Sequence, residues 1–164
     1  MKKTGIFYGS STGNAENVAK MIAEKLGAEA FDVANSPSDE LSQYDNLILG
    51  TSTTGAGEIQ DDWYDFLTDL EQTDLKGKNV AIFGLGDSIS YADTFVGSMA
   101  VIYEAVKDKG CTIVGAVNAD DYEYDDSEAV IEGKFVGLPL DEDNEDEKTE
   151  ERVDNWLEIL KENF

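Results

Sequence analysis

The chain has 164 residues, 41% of them hydrophobic, and carries 12 basic against 36 acidic side chains, for a net charge of -24. That length suits one domain, residues 1–164, with a packed core. The charge excludes nucleic-acid binding by phosphate neutralisation and attraction to an anionic membrane. One cysteine, Cys111, and no histidine exclude an internal disulfide, a Ser–His–Asp triad, a thiolate–imidazole dyad and a zinc site.

Met1-Lys2-Lys3-Thr4 runs straight into a strand pattern without an apolar leader. No apolar run approaches the ~20 residues of a membrane span. A soluble cytoplasmic monomer is expected, with a basic face as the natural complement on a protein partner.

Five apolar β-type runs follow in order, at residues 6–8, 28–33, 47–49, 80–83 and 112–117. None alternates strictly with polar residues, as expected of strands covered on both faces. Helical stripes fill the gaps. Ala15, Val18, Ala19, Ile22 and Leu26 form the first, closed by Gly27, and a short helix after Pro37 covers residues 38–44. Trp63, Phe66, Leu67 and Leu70 form the next, then Phe95, Met99, Ile102 and Val106, and last Val153, Trp156, Leu157 and Leu160. Alternating strands and helices give a parallel sheet with right-handed crossovers, a three-layer α/β/α sandwich. Residues 118–137, rich in acids and tyrosine, break the rhythm; they read as an insertion that splits the last strand, which residues 138–140 resume.

In open parallel sheets, ligands sit beyond the carboxyl ends of the strands. Three such ends here consist of small residues: Gly9-Ser10-Ser11-Thr12-Gly13-Asn14, Thr51-Ser52-Thr53-Thr54-Gly55-Ala56-Gly57, and Gly84-Leu85-Gly86-Asp87. The first also opens a helix, whose leading N–H groups lack intrahelical partners and suit a phosphate. Asn14 after Gly13 rules out a P-loop, and the glycine spacings fail the dinucleotide fingerprint. Gly9-Ser10 and Gly50-Thr51 stand where a phosphoryl-accepting receiver domain needs aspartates. One phosphate on a planar group is the ligand expected. The acidic run Asp121, Glu123, Asp125 and Glu132 has calcium-loop spacing, but Asp126 replaces the required glycine, so no metal is expected.

These three turns, with Glu58-Ile59-Gln60-Asp61-Asp62-Trp63, Tyr91-Ala92-Asp93, Gly133-Lys134-Phe135-Val136-Gly137-Leu138 and Leu140-Asp141-Glu142-Asp143-Asn144, resemble the flavodoxins, and the insertion resembles that of their long-chain type. The resemblance runs nearly the whole length. It implies a five-stranded sheet of order 2-1-3-4-5 with FMN at the switch point, the example with which this fold is commonly illustrated. It implies that Ser10, Ser11, Thr12, Gly13, Asn14 and Ala15 cradle the FMN phosphate, without a lysine or arginine in the loop. The family often has threonine at the place of Ala15, which removes one hydroxyl contact here, worth about 1 kcal/mol at most.

The resemblance also places the flavin between the loop Thr51, Ser52, Thr53, Thr54, Gly55, Ala56, Gly57 and Tyr91, the stacking ring. Gly84, Leu85, Gly86, Asp87, Asp93, Phe95 and Asp143 complete the implied contacts. Long-chain flavodoxins usually carry tryptophan in the middle of that loop, where this chain has Thr54; its own tryptophans sit at helical core positions.

A flavodoxin shuttles single electrons between redox enzymes, mostly on the semiquinone/hydroquinone couple, and the peptide matching Gly55-Ala56 flips to meet the flavin N5 proton. Partners implied are a ferredoxin/flavodoxin-NADP reductase or an oxoacid oxidoreductase. Glu58, Asp61, Asp62, Asp87, Asp93, Asp121 and Asp143 disfavour an anionic reduced flavin. At an effective ε of ~40 and ~10 Å, each charge is worth about 0.8 kcal/mol, or roughly 35 mV. The alternatives are an FMN-dependent quinone or flavin reductase, for which no second cationic phosphate site is evident, and an acidic interaction module without cofactor.

Overall fold

Strands covered on both faces need side chains that are apolar in both directions, and the five apolar runs supply them. The computed structural model describes residues 3–35, 38–54 and 56–164. Gly55, half of the peptide expected to flip, and Pro37 lie outside the described residues. In chain order the elements begin with β1 (Thr4–Gly9), α1 (Asn14–Leu26), β2 (Glu29–Asp32), a 3-10 turn over Ser38–Gln43, β3 (Asn46–Thr54), β4 (Glu58–Ile59) and α2 (Trp63–Gln72). Then come β5 (Asn79–Leu85), a 3-10 turn over Ala92–Thr94, α3 (Ser98–Val106), β6 (Thr112–Val114), β7 (Val117–Asn118), β8 (Val130–Ile131), β9 (Lys134–Phe135), β10 (Leu138–Leu140) and α4 (Thr149–Lys161).

The main sheet runs β2-β1-β3-β5, all parallel, with β6 and β10 sharing the place beside β5. Residues 79–81 pair with β6 and residues 83–85 with β10, so one strand position is filled twice. This is the order 2-1-3-4-5 with a split last strand. Alternate side chains divide between the faces. Ile6, Ile48 and Ala81 pack with Val18, Ile22, Val153 and Leu160 on the α1/α4 side. Phe7, Leu49 and Ile82 pack with Trp63, Phe66, Met99 and Ile102 on the α2/α3 side. Each of the larger aliphatic and phenylalanine side chains, fully buried, contributes about 2 kcal/mol. Trp63 and Trp156 are both core residues, at 0% and 1% exposure.

Several elements differ from the sequence reading, among them the third helical stripe, whose Phe95 precedes α3. The run expected over residues 112–117 stops at Val114, because Gly115 turns at φ 85 and its carbonyl accepts the Trp156 Nε1–H at 2.8 Å. Residues 117–118 belong instead to a second, three-stranded antiparallel sheet, β7-β9-β8, which is the private structure of the insertion. And the expected turn from Thr51 is still strand: β3 runs on to Thr54 and doubles back, pairing Thr53 with Ile59 and Thr54 with Glu58. β5 likewise continues to Leu85.

Gly137 lets β10 close against β5: a Cβ there would lie 2.0 Å from the Ile82 carbonyl oxygen, a backbone atom that cannot step aside. Gly137→Ala should therefore destabilise the protein by about 3 kcal/mol, as measured by urea denaturation; a loss under ~0.5 kcal/mol would mean that the split strand is not packed as described.

Candidate functional site

The turn between β1 and α1 is shaped before any ligand arrives. Gly13 takes φ 94 and its N–H donates to Ser10 Oγ at 3.0 Å. The first intrahelical bond runs from Asn17 N–H to Gly13 O at 2.9 Å. The N–H groups of Asn14, Ala15 and Glu16 precede it and have no acceptor within the helix. No side chain caps α1. Gln60, only 2% exposed, donates from Nε2 to Ser11 Oγ at 3.2 Å and to Asp62 Oδ2 at 2.8 Å, which ties the turn to the segment after β4. Trp63 Nε1–H donates to Gly50 O at 3.0 Å beneath it. The helix dipole and these fixed donors favour an anion. The first cation after the turn, Lys20, is spent on Glu16 at 2.8 Å.

This turn forms one end of a cavity of about 250 Å³. Ser11, Thr12 and Asn14 line that end; Ser52, Thr53 and Thr54 line one wall, and Leu85, Gly86, Asp87, Tyr91, Phe95 and Asp143 the rest. Ser52 Oγ is buried there without a hydrogen-bond partner. A buried hydroxyl left alone is costly, and a ligand oxygen or nitrogen would relieve it. Tyr91 keeps 47% of its surface exposed, a flat ring open to stacking. Thr53 is fixed by a 2.6 Å contact between its Oγ1 and Ser98 Oγ.

Behind the acidic rim lies a network with no cation in it. Asp141, 0% exposed, accepts from Ser88 N–H at 3.1 Å, Ser88 Oγ–H at 2.5 Å and Asn144 N–H at 3.0 Å. The Asn144 amide also donates to Asp141 and, at 2.8 Å, to Asp87. For Asp87, burial opposes ionisation most strongly, yet the donors Ser90 N–H, Asn144 and Ile89 N–H together hold its carboxyl below the ordinary aspartate value. Asp143 is pushed up, first by burial and then by Asp87 and Asp141. Neutral donors thus keep one carboxylate charged while its neighbour resists ionisation.

Of the residues singled out from sequence, the structure brings Ser11, Thr12, Asn14, Ser52, Thr53, Thr54, Leu85, Gly86, Asp87, Tyr91, Phe95 and Asp143 to one cavity. Ser10 and Gly13 shape its floor. The side chains of others point elsewhere. Ala15 is core, and Thr51 is buried with its hydroxyl donating to Ser52 O and accepting from Gln60 N–H. Gly84 backs onto Met99. Ala56 and Gly57 turn outside the lining, and Asp93 is exposed on its 3-10 turn. Sequence reasoning missed Thr94, Val96 and Glu142, which do line the cavity, and Gln60 and Asn144, which brace it. Val96 is a β-branched residue at φ 45, a strained conformation with no local sequence signature.

Asn144→Ala removes one donor side chain from two carboxylates at once. The expected loss is about 2 kcal/mol of stability at neutral pH. The Asp87 midpoint, followed by carboxyl NMR, should also rise. A folded-state pKa below the unfolded one contributes stability above the unfolded value that disappears as pH falls through the folded value, so the variant should lose less on acidification. An unmoved Asp87 midpoint would contradict the network.

A family model described as flavodoxin matches residues 6–156. Flavodoxin 1 of Azotobacter vinelandii is 44% identical over 171 residues, covering 100% of this chain and 98% of its own. The flavodoxin of Synechocystis is 42% identical over 165 residues, covering 98% and 97%. The crystal structure of a Fusobacterium nucleatum flavodoxin bound to flavin mononucleotide superposes with a TM-score of 0.94 at 34% identity, covering 100% of this chain and 99% of that one. The chain belongs to the flavodoxin family of flavin-carrying electron-transfer proteins.

Proposed function

We propose that this chain binds one FMN along the cavity and passes electrons singly between partner proteins at low potential, as a single-domain monomer of the cytoplasm with no substrate chemistry of its own. The observation that carries the reading is the union, in one cavity, of a cation-free donor turn, the unpartnered Ser52 hydroxyl and the open Tyr91 ring. Bound FMN supplies a ring that accepts and releases one electron at a time.

The chain's residues do the rest. The N–H groups of Ser11, Thr12, Asn14 and Ala15 and the hydroxyls of Ser10, Ser11 and Thr12 hold the phosphate at the positive end of α1. Ser52 supplies a hydroxyl to the body of the cofactor. Tyr91 covers one face of the ring, and Thr54, smaller than an aromatic, leaves the other more open. Gly57, at φ 84, lets the end of the β3–β4 hairpin bend at the ring edge. Asp87, Glu142 and Asp143 line the cavity with carboxylates and disfavour any negative charge added there, which lowers the potential of the last electron.

The same surplus of acid, -24 over the chain, steers redox partners with basic faces, such as a ferredoxin/flavodoxin-NADP reductase or an oxoacid oxidoreductase. Among the described residues no helix is long and apolar enough to cross a membrane, and the lone thiol of Cys111 suits a reducing compartment.

Apoprotein titrated with FMN should take up one equivalent, turn yellow, and on stepwise reduction show two separate one-electron waves; a chain that takes up none overturns the reading. Ser52→Ala should weaken FMN binding about fivefold, as seen by flavin fluorescence quenching, while the stability of the apoprotein stays within ~0.5 kcal/mol, because that hydroxyl has no partner of its own to lose.

A further inference from the structure

The insertion over residues 118–137 grips one wall of the cavity. Both backbone polar groups of Phe95 are bound by consecutive residues of the insertion. Its N–H donates to Asp126 O at 3.3 Å, and its carbonyl accepts the Ser127 hydroxyl at 2.5 Å. Three residues upstream, Ala92 O accepts from both Asp125 N–H at 2.9 Å and Asp126 N–H at 3.0 Å. The Phe95 ring is seated against Tyr124 at 5.8 Å, Phe135 at 6.0 Å and Tyr122 at 6.2 Å, centroid to centroid. All three rings belong to the insertion.

Two further facts give this grip a purpose. The next residue, Val96, holds φ 45, which a β-branched side chain adopts only when its surroundings impose it. Phe95 and Val96 both line the cavity. The insertion is also stiff enough to impose the conformation. It has its own three-stranded sheet, Tyr122 donates its hydroxyl to Pro139 O at 2.7 Å, and the Arg152 guanidinium lies 4.2 Å above the Tyr122 ring.

We propose that Ser127, 7% exposed, is a positioning residue of the flavin site. Its hydroxyl is the pin through which the insertion fixes the Phe95–Val96 wall at the ring end of the cavity. It is well placed for that, since it also accepts from Ala129 N–H at 3.1 Å and so joins the wall to the insertion's own backbone. The proposal rests on the reading of this cavity as an FMN site.

A pin at the ring end has a signature that general destabilisation lacks. Ser127→Ala should weaken FMN and riboflavin by the same factor, about tenfold, because the phosphate turn is untouched and the lost geometry concerns the ring that both ligands share. The visible circular dichroism of the bound flavin should change as well, and Ser127→Thr, which keeps the hydroxyl, should restore most of both. Should Ser127→Ala not fold, Tyr124→Leu removes a half-buried ring from the same wall and should weaken both ligands about threefold. Folded Ser127→Ala protein with wild-type affinity and dichroism overturns the proposal, and so does a loss seen for FMN alone. Wild-type protein that takes up neither flavin overturns the FMN reading along with it.

Discussion

A turn of fixed donors suited to an anion, with no cation among them, is the constraint on which this structure turns. The chain carries -24 charges, and the phosphate turn contains no lysine or arginine. At long range such a molecule repels a phosphate, so short, fixed hydrogen bonds must overcome the repulsion. Fixed donors need a rigid frame. The bond from Gly13 N–H to Ser10 and the Gln60 clasp on Ser11 supply it, above a Trp63 anchored to Gly50.

The same device recurs at the acidic rim. Asp141 is fully buried and meets Ser88 and Asn144, both neutral; Asp87 is held by backbone N–H groups and the same Asn144. The basic residues sit elsewhere, Lys20 on Glu16, Lys25 on Asp154, Lys148 and Arg152 on Glu145. Neutral donors at the site keep it negative while remaining satisfied. Cations there would neutralise the negative field of the rim.

The layers, the strand order and the gathering of small-residue strand ends around one cavity were legible because they rest on local requirements: apolar runs, helical stripes and small residues at the carboxyl edge of a parallel sheet. What was not legible depends on partners distant in sequence. Thr51 reads as a loop residue, but pairing of Thr53 with Ile59 keeps the strand going and turns the Thr51 hydroxyl inward to Ser52 and Gln60. The strand over residues 112–117 breaks at Gly115 because Trp156, 41 residues later, claims its carbonyl. Val96 gives no sign in sequence of its left-handed backbone, and the neighbouring Phe95 is bound by Asp126 and Ser127, some thirty residues later. Asn144 was quoted as part of a motif, yet its bridge between Asp87 and Asp141 emerges only when two loops meet.

The dependence of flavin affinity on ionic strength tests the cation-free cradle most directly. Screening contracts from about 30 Å at 0.01 M salt to about 3 Å at 1 M. Repulsion between the phosphate and the acidic chain then fades, while the short hydrogen bonds persist. FMN affinity should rise severalfold across that range, with riboflavin affinity nearly constant. FMN affinity that falls with added salt would reveal a cation at the phosphate and contradict the account.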